Sequence, residues 1–188
     1  IEVSFMNNSK IAILGCGNIG SAIAKGLIKS GQYHAADITL TRRKIEHIQS
    51  LGDSGFTITA DNKEVVNKAE VIILAVTPGQ INELLDDIAP QVENSHLVIS
   101  VVSGVAISEI EKKVQDAAIV RAMPNTGAAL CESMTCLSAL PENKAGLDKA
   151  ADIFNAVGKI LVIDEDQMAS ATALGACGVA FFLRAIRA

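Results

Sequence analysis

Lys10-Ile-Ala-Ile-Leu-Gly-Cys-Gly-Asn-Ile-Gly20 is the stretch that decides the fold of this chain. A short apolar run passes directly into the spacing G-x-G-x-x-G, and a helical pattern begins at Ser21. Gly15 permits a tight turn, Gly17 lets the main chain approach a pyrophosphate, and Gly20 lets the helix pack on the strand. Because the free N–H groups at a helix start attract anions, the stretch predicts a dinucleotide site. A purely structural glycine turn is the alternative.

The rest of the chain alternates short apolar runs with helical patterns, which is typical of repeated βαβ units and a parallel sheet. Strands are predicted near residues 10–14, 37–41, 56–60, 71–76, 96–102 and 118–122, and helices near 19–30, 43–51, 62–68, 80–88 and 107–114. Six such strands predict an α/β fold of the Rossmann type, with a doubly wound, mostly parallel sheet. Runs at 134–140 and 159–163, separated by a helix near 143–156, extend the sheet by about two strands whose direction cannot be read.

The domain boundary is expected where the last strand ends. Residues 6–164 are predicted to form a dinucleotide-binding Rossmann domain, and residues 165–188 the first helix of a C-terminal helical dimerisation domain, truncated here. That last helix is apolar on most faces, which normally marks an interface or an unfinished core. Residues 1–5 resemble neither a basic leader nor a cleavable secretory segment, so Met6 is expected to be the native start.

Composition narrows the class of function. Hydrophobic residues make up 49% of the 188 residues and charged residues 20%, which excludes a disordered or fibrous chain. Acidic residues number 21 against 16 basic ones, so the net charge of −5 has the wrong sign for bulk attraction to nucleic acid or anionic lipid. The longest nearly apolar run, 173–183, is too short to span a bilayer. We therefore expect no nucleic-acid partner and no membrane span.

The four cysteines, at positions 16, 131, 136 and 177, have neither paired CxxC spacing nor histidines nearby. This pattern favours small buried side chains over metal ligands, and it fits a reducing cytoplasm. We predict a cytoplasmic protein without a metal site.

The end of the second predicted strand should determine which cofactor binds. An Asp or Glu about 20 residues after the glycines would accept a hydrogen bond from the ribose 2′-hydroxyl of NAD. Here Thr41 is followed by Arg42-Arg43-Lys44, and no carboxylate stands at that place. A guanidinium can bind a 2′-phosphate through charge-assisted hydrogen bonds, aided by the Thr41 hydroxyl. NADPH is therefore favoured, with NADH possible but weaker, and a solvated basic helix start is the alternative.

Ligands of doubly wound sheets bind beyond the carboxyl ends of the strands, so the loops after the later strands should complete the site. Asn125 is the most plausible polar group there, although asparagine after proline is also ordinary turn chemistry. We read the three histidines as surface or turn residues, none of them at the carboxyl edge where the crevice should open. The paired carboxylates Asp86-Asp87 and Glu109/Glu111 are read as solvated faces of amphipathic helices. We assign no catalytic residue. The predicted cofactor-binding residues are Gly15, Cys16, Gly17, Asn18, Ile19, Gly20, Thr41, Arg42, Arg43, Asn62, Ala75, Val76, Thr77, Pro78, Met123, Pro124 and Asn125.

Several segments together resemble pyrroline-5-carboxylate reductase over nearly the whole chain. They are Gly15-Cys-Gly-Asn-Ile-Gly-Ser-Ala-Ile, Leu74-Ala-Val-Thr-Pro-Gly-Gln, Ile99-Ser-Val-Val-Ser-Gly-Val-Ala-Ile, Val120-Arg-Ala-Met-Pro-Asn-Thr-Gly, Glu132-Ser-Met-Thr-Cys-Leu-Ser and Ala173-Leu-Gly-Ala-Cys-Gly-Val-Ala-Phe-Phe. The resemblance implies NADPH-dependent reduction of 1-pyrroline-5-carboxylate, a small cyclic imino acid, to L-proline. It also implies a homodimer or higher oligomer built through the C-terminal helical domain.

Some positions depart from that family's pattern. Thr77 stands where lysine is usual, Gly127 replaces a proline and Ser133 replaces a glycine, while Gly175, Ala176 and Val179 interrupt a Ser-Gly-Ser-Gly-Pro run. The family's later Ser-Pro-Gly-Gly-Thr-Thr loop, which holds the imino-acid carboxylate, is not found in these 188 residues. A chain that ended at Ala188 would be expected to bind cofactor without proficient catalysis. Two alternatives therefore stay open: a non-catalytic NADP(H)-binding regulatory module, and a related NADP oxidoreductase of the β-hydroxyacid or F420-linked type.

Overall fold

The structure, a computed structural model, describes residues 9–187, apart from the side chains of Ala176, Cys177, Val179, Ala180 and Leu183. The expected start at Met6 lies outside the described residues, and so does the burial of the Cys177 side chain. Within residues 9–187, no helix has the length and apolar character needed to cross a bilayer.

Eight strands form one sheet, in the order β3-β2-β1-β4-β5-β6-β7-β8. They are β1 (Ile11–Leu14), β2 (Ile38–Thr41), β3 (Thr57–Thr59), β4 (Val71–Leu74), β5 (Leu97–Ser100), β6 (Ala118–Met123), β7 (Ser133–Ala139) and β8 (Gly158–Val162). The first six strands pair in parallel, and the order reverses beside β1. The predicted doubly wound fold is confirmed, and the reversal beside β1 opens a crevice at the carboxyl ends of the strands.

The last two strands run against the first six. β7 pairs with β6 antiparallel, and β8 pairs with β7 in parallel. The sheet is therefore extended by two strands, as predicted, and the structure supplies the direction that the sequence left open. β8 forms one edge of the sheet, and just after it the main-chain N–H of Ile163 donates to the carbonyl of Leu137 on β7 at 2.9 Å.

Helices cover both faces of the sheet. They are α1 (Asn18–Lys29), α2 (Gln49–Gly52), α3 (Asn62–Val66), α4 (Ile81–Ile88), α5 (Ile107–Glu111), α6 (Lys144–Asn155), α7 (Met168–Ala171) and α8 (Val179–Ile186). The predicted helix at 43–51 is wrong in form, because the chain makes a 3-10 turn over Ile45–Ile48 before the single turn of α2. Only Ile48 and Leu51 of this segment are buried, so it has too little apolar surface to support a longer helix.

Two core layers lie on opposite faces of the sheet. Along β1, Ile11 and Ile13 pack with α1 and α6, whereas Ala12 and Leu14 pack with α3, α4 and α5. Side chains on a strand alternate between its faces, so a strand at the centre of such a sheet must be apolar throughout. This is why the run before Gly15 has no polar residue.

The chain from Glu165 onward is helical, but not uniformly so. A 3-10 turn at Glu165–Gln167 leads into α7, a π-helical stretch follows at Thr172–Gly178, and α8 completes the segment. Met168 is buried, whereas Leu174, Phe181, Phe182 and Ile186 are 66–78% exposed. The segment is therefore attached to the sheet at its beginning and carries exposed apolar side chains towards its end.

Candidate functional site

The three glycines of the loop between β1 and α1 occupy three different environments. Gly15 has φ +84°, and a Cβ there would lie 2.3 Å from Cγ1 of Val76. At Gly20 a Cβ would lie 3.1 Å from Cγ2 of Ile13, where α1 packs on β1. At Gly17, by contrast, a Cβ would meet nothing closer than the Gly15 carbonyl oxygen at 3.9 Å. The space beside Gly17 is open, as a loop that admits a phosphate requires.

Gly17 is also the residue from which α1 starts. The first N–H groups of a helix lack partners within the helix and point outward along its axis, and the helix dipole adds a partial positive charge there. No acidic residue occupies the first turn of α1, and Lys29 lies in its last turn. The start of this twelve-residue helix is therefore suited to a phosphate group.

The side chain of Cys16 points away from that opening. It is fully buried, and its Sγ lies 3.3 Å from the Ser21 hydroxyl. Burial raises the pKa of the Cys16 thiol. The main chain of Cys16 can therefore contact a cofactor, as predicted, but its side chain cannot.

The end of β2 is tied to the glycine loop. The N–H groups of Gly15 and Cys16 both donate to the carbonyl of Thr41, at 3.2 and 2.7 Å. The Thr41 hydroxyl donates to Oδ1 of Asn62 at 2.7 Å, and it accepts weakly from the Gly15 N–H at 3.3 Å. Because a hydroxyl has a single proton, the expected donation from Thr41 to a phosphate is not available in this arrangement. Arg42 follows at once, and its Nη1 donates to the Cys16 carbonyl at 3.2 Å.

A cavity of about 1150 Å³ opens at this edge of the sheet. The predicted site residues that line it are Gly15, Gly17, Thr41, Arg42, Arg43, Asn62, Ala75, Val76 and Thr77. Those that do not line it are Cys16, Asn18, Ile19, Gly20, Pro78, Met123, Pro124 and Asn125. The residues in the first set come from widely separated parts of the chain, so the fold brings the ends of β1, β2 and β4 together around one crevice.

One rim of the cavity is basic and the other acidic. Arg42, Arg43, Lys44 and His47 line one side, whereas Glu83, Asp86 and Asp87 of α4 line the other. Asp87 faces Lys63 across 3.2 Å, and Asp86 pairs with Lys113, so two of the carboxylates are balanced by lysines. Among the described residues, Arg42, Arg43 and Lys44 therefore form the cationic surface of the cavity that is available to an anion.

The expectation that no histidine lies at the crevice is wrong for His47. Its main-chain N–H donates to the carbonyl of Lys44 in the 3-10 turn that follows β2, which brings it beside the cavity. Asp86 and Asp87 lie on a solvated face of α4, as expected, and this face also lines the cavity. The spacing of residues along a helix could not show these neighbours, since each contact depends on how the helix docks beside the crevice.

Beyond β4 the chain enters a tight turn. Thr77 precedes the 3-10 turn Pro78–Gln80, and its hydroxyl donates to Oε1 of Gln80 at 2.8 Å. Ala75 is buried, and Thr77 is exposed to the cavity. This end of the crevice therefore has a largely apolar floor with one exposed hydroxyl.

The residues after β6 form the neighbouring turn. Oδ1 of Asn125 accepts from the Gly127 N–H at 2.9 Å, and Nδ2 donates to the Gly175 carbonyl at 3.3 Å. The Asn125 main-chain N–H donates to the Ser133 hydroxyl at 3.2 Å. Ser103 donates to the Met123 sulfur at 3.9 Å. The Asn125 amide is thus engaged at both ends, as the turn interpretation of this residue predicts.

Among the side chains that the structure describes, no group of three or more metal-binding residues occurs.

Comparisons with known proteins agree with this geometry. The family model described as "NADP oxidoreductase coenzyme F420-dependent" matches residues 10–104. Pyrroline-5-carboxylate reductase 2 of Dictyostelium discoideum is 44% identical over 205 residues, which cover 100% of this chain and 69% of that protein. Pyrroline-5-carboxylate reductase 1 of the same organism is 44% identical over 95% of this chain, which spans 35% of its length.

A solved structure extends the likeness to three dimensions. The crystal structure of Plasmodium falciparum pyrroline carboxylate reductase with NADP bound superposes with a TM-score of 0.88 at 28% identity. The match covers 97% of this chain and 68% of that one. The chain is therefore similar to these reductases from end to end, but it spans between about a third and about two thirds of their length.

Proposed function

The chain belongs to the pyrroline-5-carboxylate reductase family, and we propose that it binds NADP(H) in the crevice and serves the reduction of 1-pyrroline-5-carboxylate to L-proline. The observation that carries the proposal is the junction of β1 and β2. There, open space beside Gly17 adjoins a guanidinium that is fixed to the glycine loop. A pyrophosphate and a second phosphate could be held at the same time by such a junction.

The pyrophosphate lies against the start of α1 in this proposal. The main-chain N–H groups of Asn18, Ile19 and Gly20 supply hydrogen bonds, and Gly17 allows close approach because no side chain occupies its space. The packing of Gly15 against Val76 holds the loop in place. The residues present therefore fit the phosphates of a dinucleotide.

The 2′-phosphate of the adenosine ribose lies against Arg42 and Arg43. A guanidinium forms charge-assisted hydrogen bonds with phosphate oxygens, and no carboxylate stands at the end of β2 to favour an unphosphorylated ribose. Asn62 lines the same part of the cavity, and Thr41 holds its amide oxygen. NADPH is preferred over NADH for these reasons.

The nicotinamide end lies beyond β4 and β6, beside Ala75, Val76, Thr77 and Pro78, with Met123, Pro124 and Asn125 on the next loop. When bound, NADPH supplies the hydride that reduces the imine carbon. The protein contributes position and an apolar floor that excludes water, and we assign it neither a nucleophile nor a general acid. Among the described residues, the loops after β4 and β6 are the part of the chain placed to border a small cyclic imino acid.

A second candidate function is binding of NADP(H) without turnover. Thr77 and Ser133, which stand where the resembling reductases carry lysine and glycine, favour it. A related F420-linked NADP oxidoreductase is favoured by the family model alone, which covers only the cofactor-binding part of the chain. The reductase proposal has the broader support, because likeness to pyrroline-5-carboxylate reductases extends over 95–100% of the chain.

One assay separates these candidates. NADPH affinity is measured by fluorescence, and NADPH oxidation is then followed with and without 1-pyrroline-5-carboxylate, both for this chain and for a form extended to the length of its relatives. We expect submicromolar to micromolar binding by both forms and imine-dependent oxidation by the extended form. Tight binding without oxidation in either form would favour the non-catalytic module, and absence of binding would refute the proposed site.

The remaining features of the proposal concern assembly and location. Residues 165–188 begin a helical dimerisation domain, which is supported by the exposure of Phe181, Phe182 and Ile186 on α8. The compartment is the cytoplasm, supported by three free cysteines among the described side chains, Cys16, Cys131 and Cys136.

A further inference from the structure

The C-terminal segment is joined to β6 at one point and to the turn after β6 at a second. Oε1 of Glu165 accepts from Nη1 of Arg121 at 3.0 Å, and it also accepts from the Ile107 N–H at the start of α5, at 2.8 Å. Ten residues later, the Gly175 carbonyl accepts from Nδ2 of Asn125 at 3.3 Å. Arg121 lies in β6 and Asn125 lies in the turn two residues beyond its end, so β6 and the turn after it hold both ends of the stretch Glu165–Gly175.

The helical stretch from Glu165 to Gly175 and the extended chain from Arg121 to Asn125 have similar lengths. Ten residues of helix advance about 15 Å at the usual helical rise. Four residues of extended chain advance about 13 Å. The stretch from Glu165 to Gly175 therefore runs alongside the end of β6, in the same direction as the strand.

The register of the sheet shows where this stretch leads. Leu14, Leu74, Ser100 and Arg121 are paired in one row across β1, β4, β5 and β6. That row contains the last residues of β1, β4 and β5, so Arg121 lies level with the edge at which the crevice opens. Asn125 lies four residues further along the chain, beyond this edge. The second point of attachment is thus on the crevice side of the sheet.

Burial indicates that the first attachment is specific. Arg121 is only 7% exposed, although it is the one arginine or lysine on the six parallel strands as the structure describes them. A buried guanidinium needs a partner, and among the described contacts its ion-pair partner is Glu165. Between the two attachments Met168 is buried, and the Thr172 hydroxyl donates to the Met168 carbonyl where the π-helical stretch begins. A stretch of π-helix is frequently associated with function.

We propose that Asn125 and Arg121 are positioning residues, which hold the stretch Glu165–Gly178 alongside the end of β6 as a wall of the substrate end of the crevice. Asn125 acts through Gly175, and Arg121 acts through Glu165. The substrate part of this inference rests on the proposed function, because it takes the imine to bind at that end. The docking part rests on the contacts alone.

Asn125→Asp tests the second attachment selectively. The carboxylate keeps the acceptor that Gly127 uses, but it replaces the donor to Gly175 with an oxygen that repels the Gly175 carbonyl. Glu165→Gln tests the first attachment, since it keeps the shape of the side chain and removes the ion pair. Asp148→Asn removes an exposed ion pair with Lys144 on α6, and it serves as the matched control.

Hydrogen exchange of the ligand-free chain gives the first readout. In Asn125→Asp we expect the amides of 172–178 to exchange about tenfold faster, as the loss of one hydrogen bond would allow. In Glu165→Gln the acceleration should begin at 165–168. The amides of β1, β4 and β5 should exchange as in the wild type for both variants, and Asp148→Asn should change neither segment. Unchanged exchange at 172–178 in Asn125→Asp would overturn the docking.

Steady-state kinetics of the extended form give the second readout. With Glu165→Gln, which changes no residue of the proposed cofactor site, we expect the KM for the imine to rise several-fold while the affinity for NADPH stays within twofold of the wild type. An imine KM equal to that of the wild type, together with faster exchange, would overturn the positioning role. If the wild type binds NADPH but reduces no imine, the proposed function fails, and the exchange data alone decide the docking.

Discussion

The Arg42 guanidinium and the Cys16 carbonyl are joined by a hydrogen bond of 3.2 Å, which links the end of β2 to the loop that follows β1. A guanidinium has five N–H donors, so this bond leaves most of them for another acceptor. The same side chain is therefore placed to hold the loop in shape and to bind a phosphate. Charge at this position should influence both the choice of cofactor and the geometry of the loop.

Arg42→Glu should weaken NADPH binding by about ten- to a hundredfold, which corresponds to about 1.4–2.8 kcal/mol. The new carboxylate repels the 2′-phosphate, whereas NADH lacks that group. We expect NADH binding to weaken only a few-fold, through loss of the bond to Cys16. Isothermal titration calorimetry with both cofactors measures the two effects, and Lys159→Glu, the same reversal of charge away from the crevice, is the control. An equal loss for NADPH and NADH would contradict the assignment of Arg42.

Gly17→Val should abolish cofactor binding without unfolding the protein. A side chain at Gly17 enters the open space that a phosphate needs, and it meets no protein atom closer than 3.9 Å at its Cβ. Gly20→Val is the informative counterpart, because its Cβ would press on Ile13 at 3.1 Å and should lower the melting temperature. Calorimetric titration and thermal unfolding are measured for both variants. Retained NADPH affinity in Gly17→Val would remove the glycine loop from the site.

Glu70 should give stability that depends on pH. Partial burial alone would raise the pKa of Glu70, but hydrogen bonds from Lys149 and Ser9 outweigh it and hold this pKa below its usual range. A lowered pKa in the folded state contributes stability that is present above the unfolded pKa, about 4.3 for Glu, and is lost as pH falls through the folded value.

Urea unfolding between pH 7 and pH 2–3 tests this linkage. Glu70→Gln should be less stable than the wild type at pH 7, and the difference should shrink as pH falls below about 4.3. Glu142→Gln, at an exposed position on the 3-10 turn before α6, is the control. A difference that stays constant across the whole range would show that the carboxylate charge of Glu70 does not matter.

The exposed side chains of α8 should drive association of this chain. Burying a side chain such as Phe182 is worth about 1.5–3 kcal/mol, and Phe181 and Ile186 are exposed beside it. We expect the mass measured by light scattering to rise with protein concentration, and Phe181→Ser with Phe182→Ser to reduce that rise. A monomer over a wide range of concentration, with α8 helical by hydrogen exchange, would contradict the proposed dimerisation domain.

The sequence predicts the centre of this fold well because the decisive signals there are local. The apolar run before Gly15 can only be a strand buried on both faces, and the glycines that follow leave few alternatives for the turn. The direction of β7 cannot be predicted from the sequence, since its side chains alternate in the same way whether it runs parallel or antiparallel to β6. Only the pairing of Met123 with Cys136 and its neighbours determines that direction.

The candidate site also contains some residues that the sequence identifies and others that it does not. Gly17 and Arg42 can be recognised from their place in a motif, and both line the cavity. The environment of Asn125 cannot be recognised from the sequence, because its partner Gly175 lies fifty residues away and is brought near by the C-terminal segment. Likewise, His47 lines the crevice from a 3-10 turn that stands where a longer helix was expected. Contacts between distant segments of the chain were thus beyond what periodicity and spacing can show.

The packing of Gly15 against Val76 has a consequence for the order of folding. Val76, against which Gly15 packs, lies two residues after β4, so a nascent chain that has formed only β1, α1 and β2 lacks this side of the phosphate site. A nucleotide can therefore recognise the chain only after the long-range pairing of β4 with β1, the slow kind of step in parallel sheets. NADP should accordingly leave the refolding rate unchanged and retard unfolding. Stopped-flow measurements in which NADP accelerates refolding would show that the phosphate site is already formed in the transition state for folding.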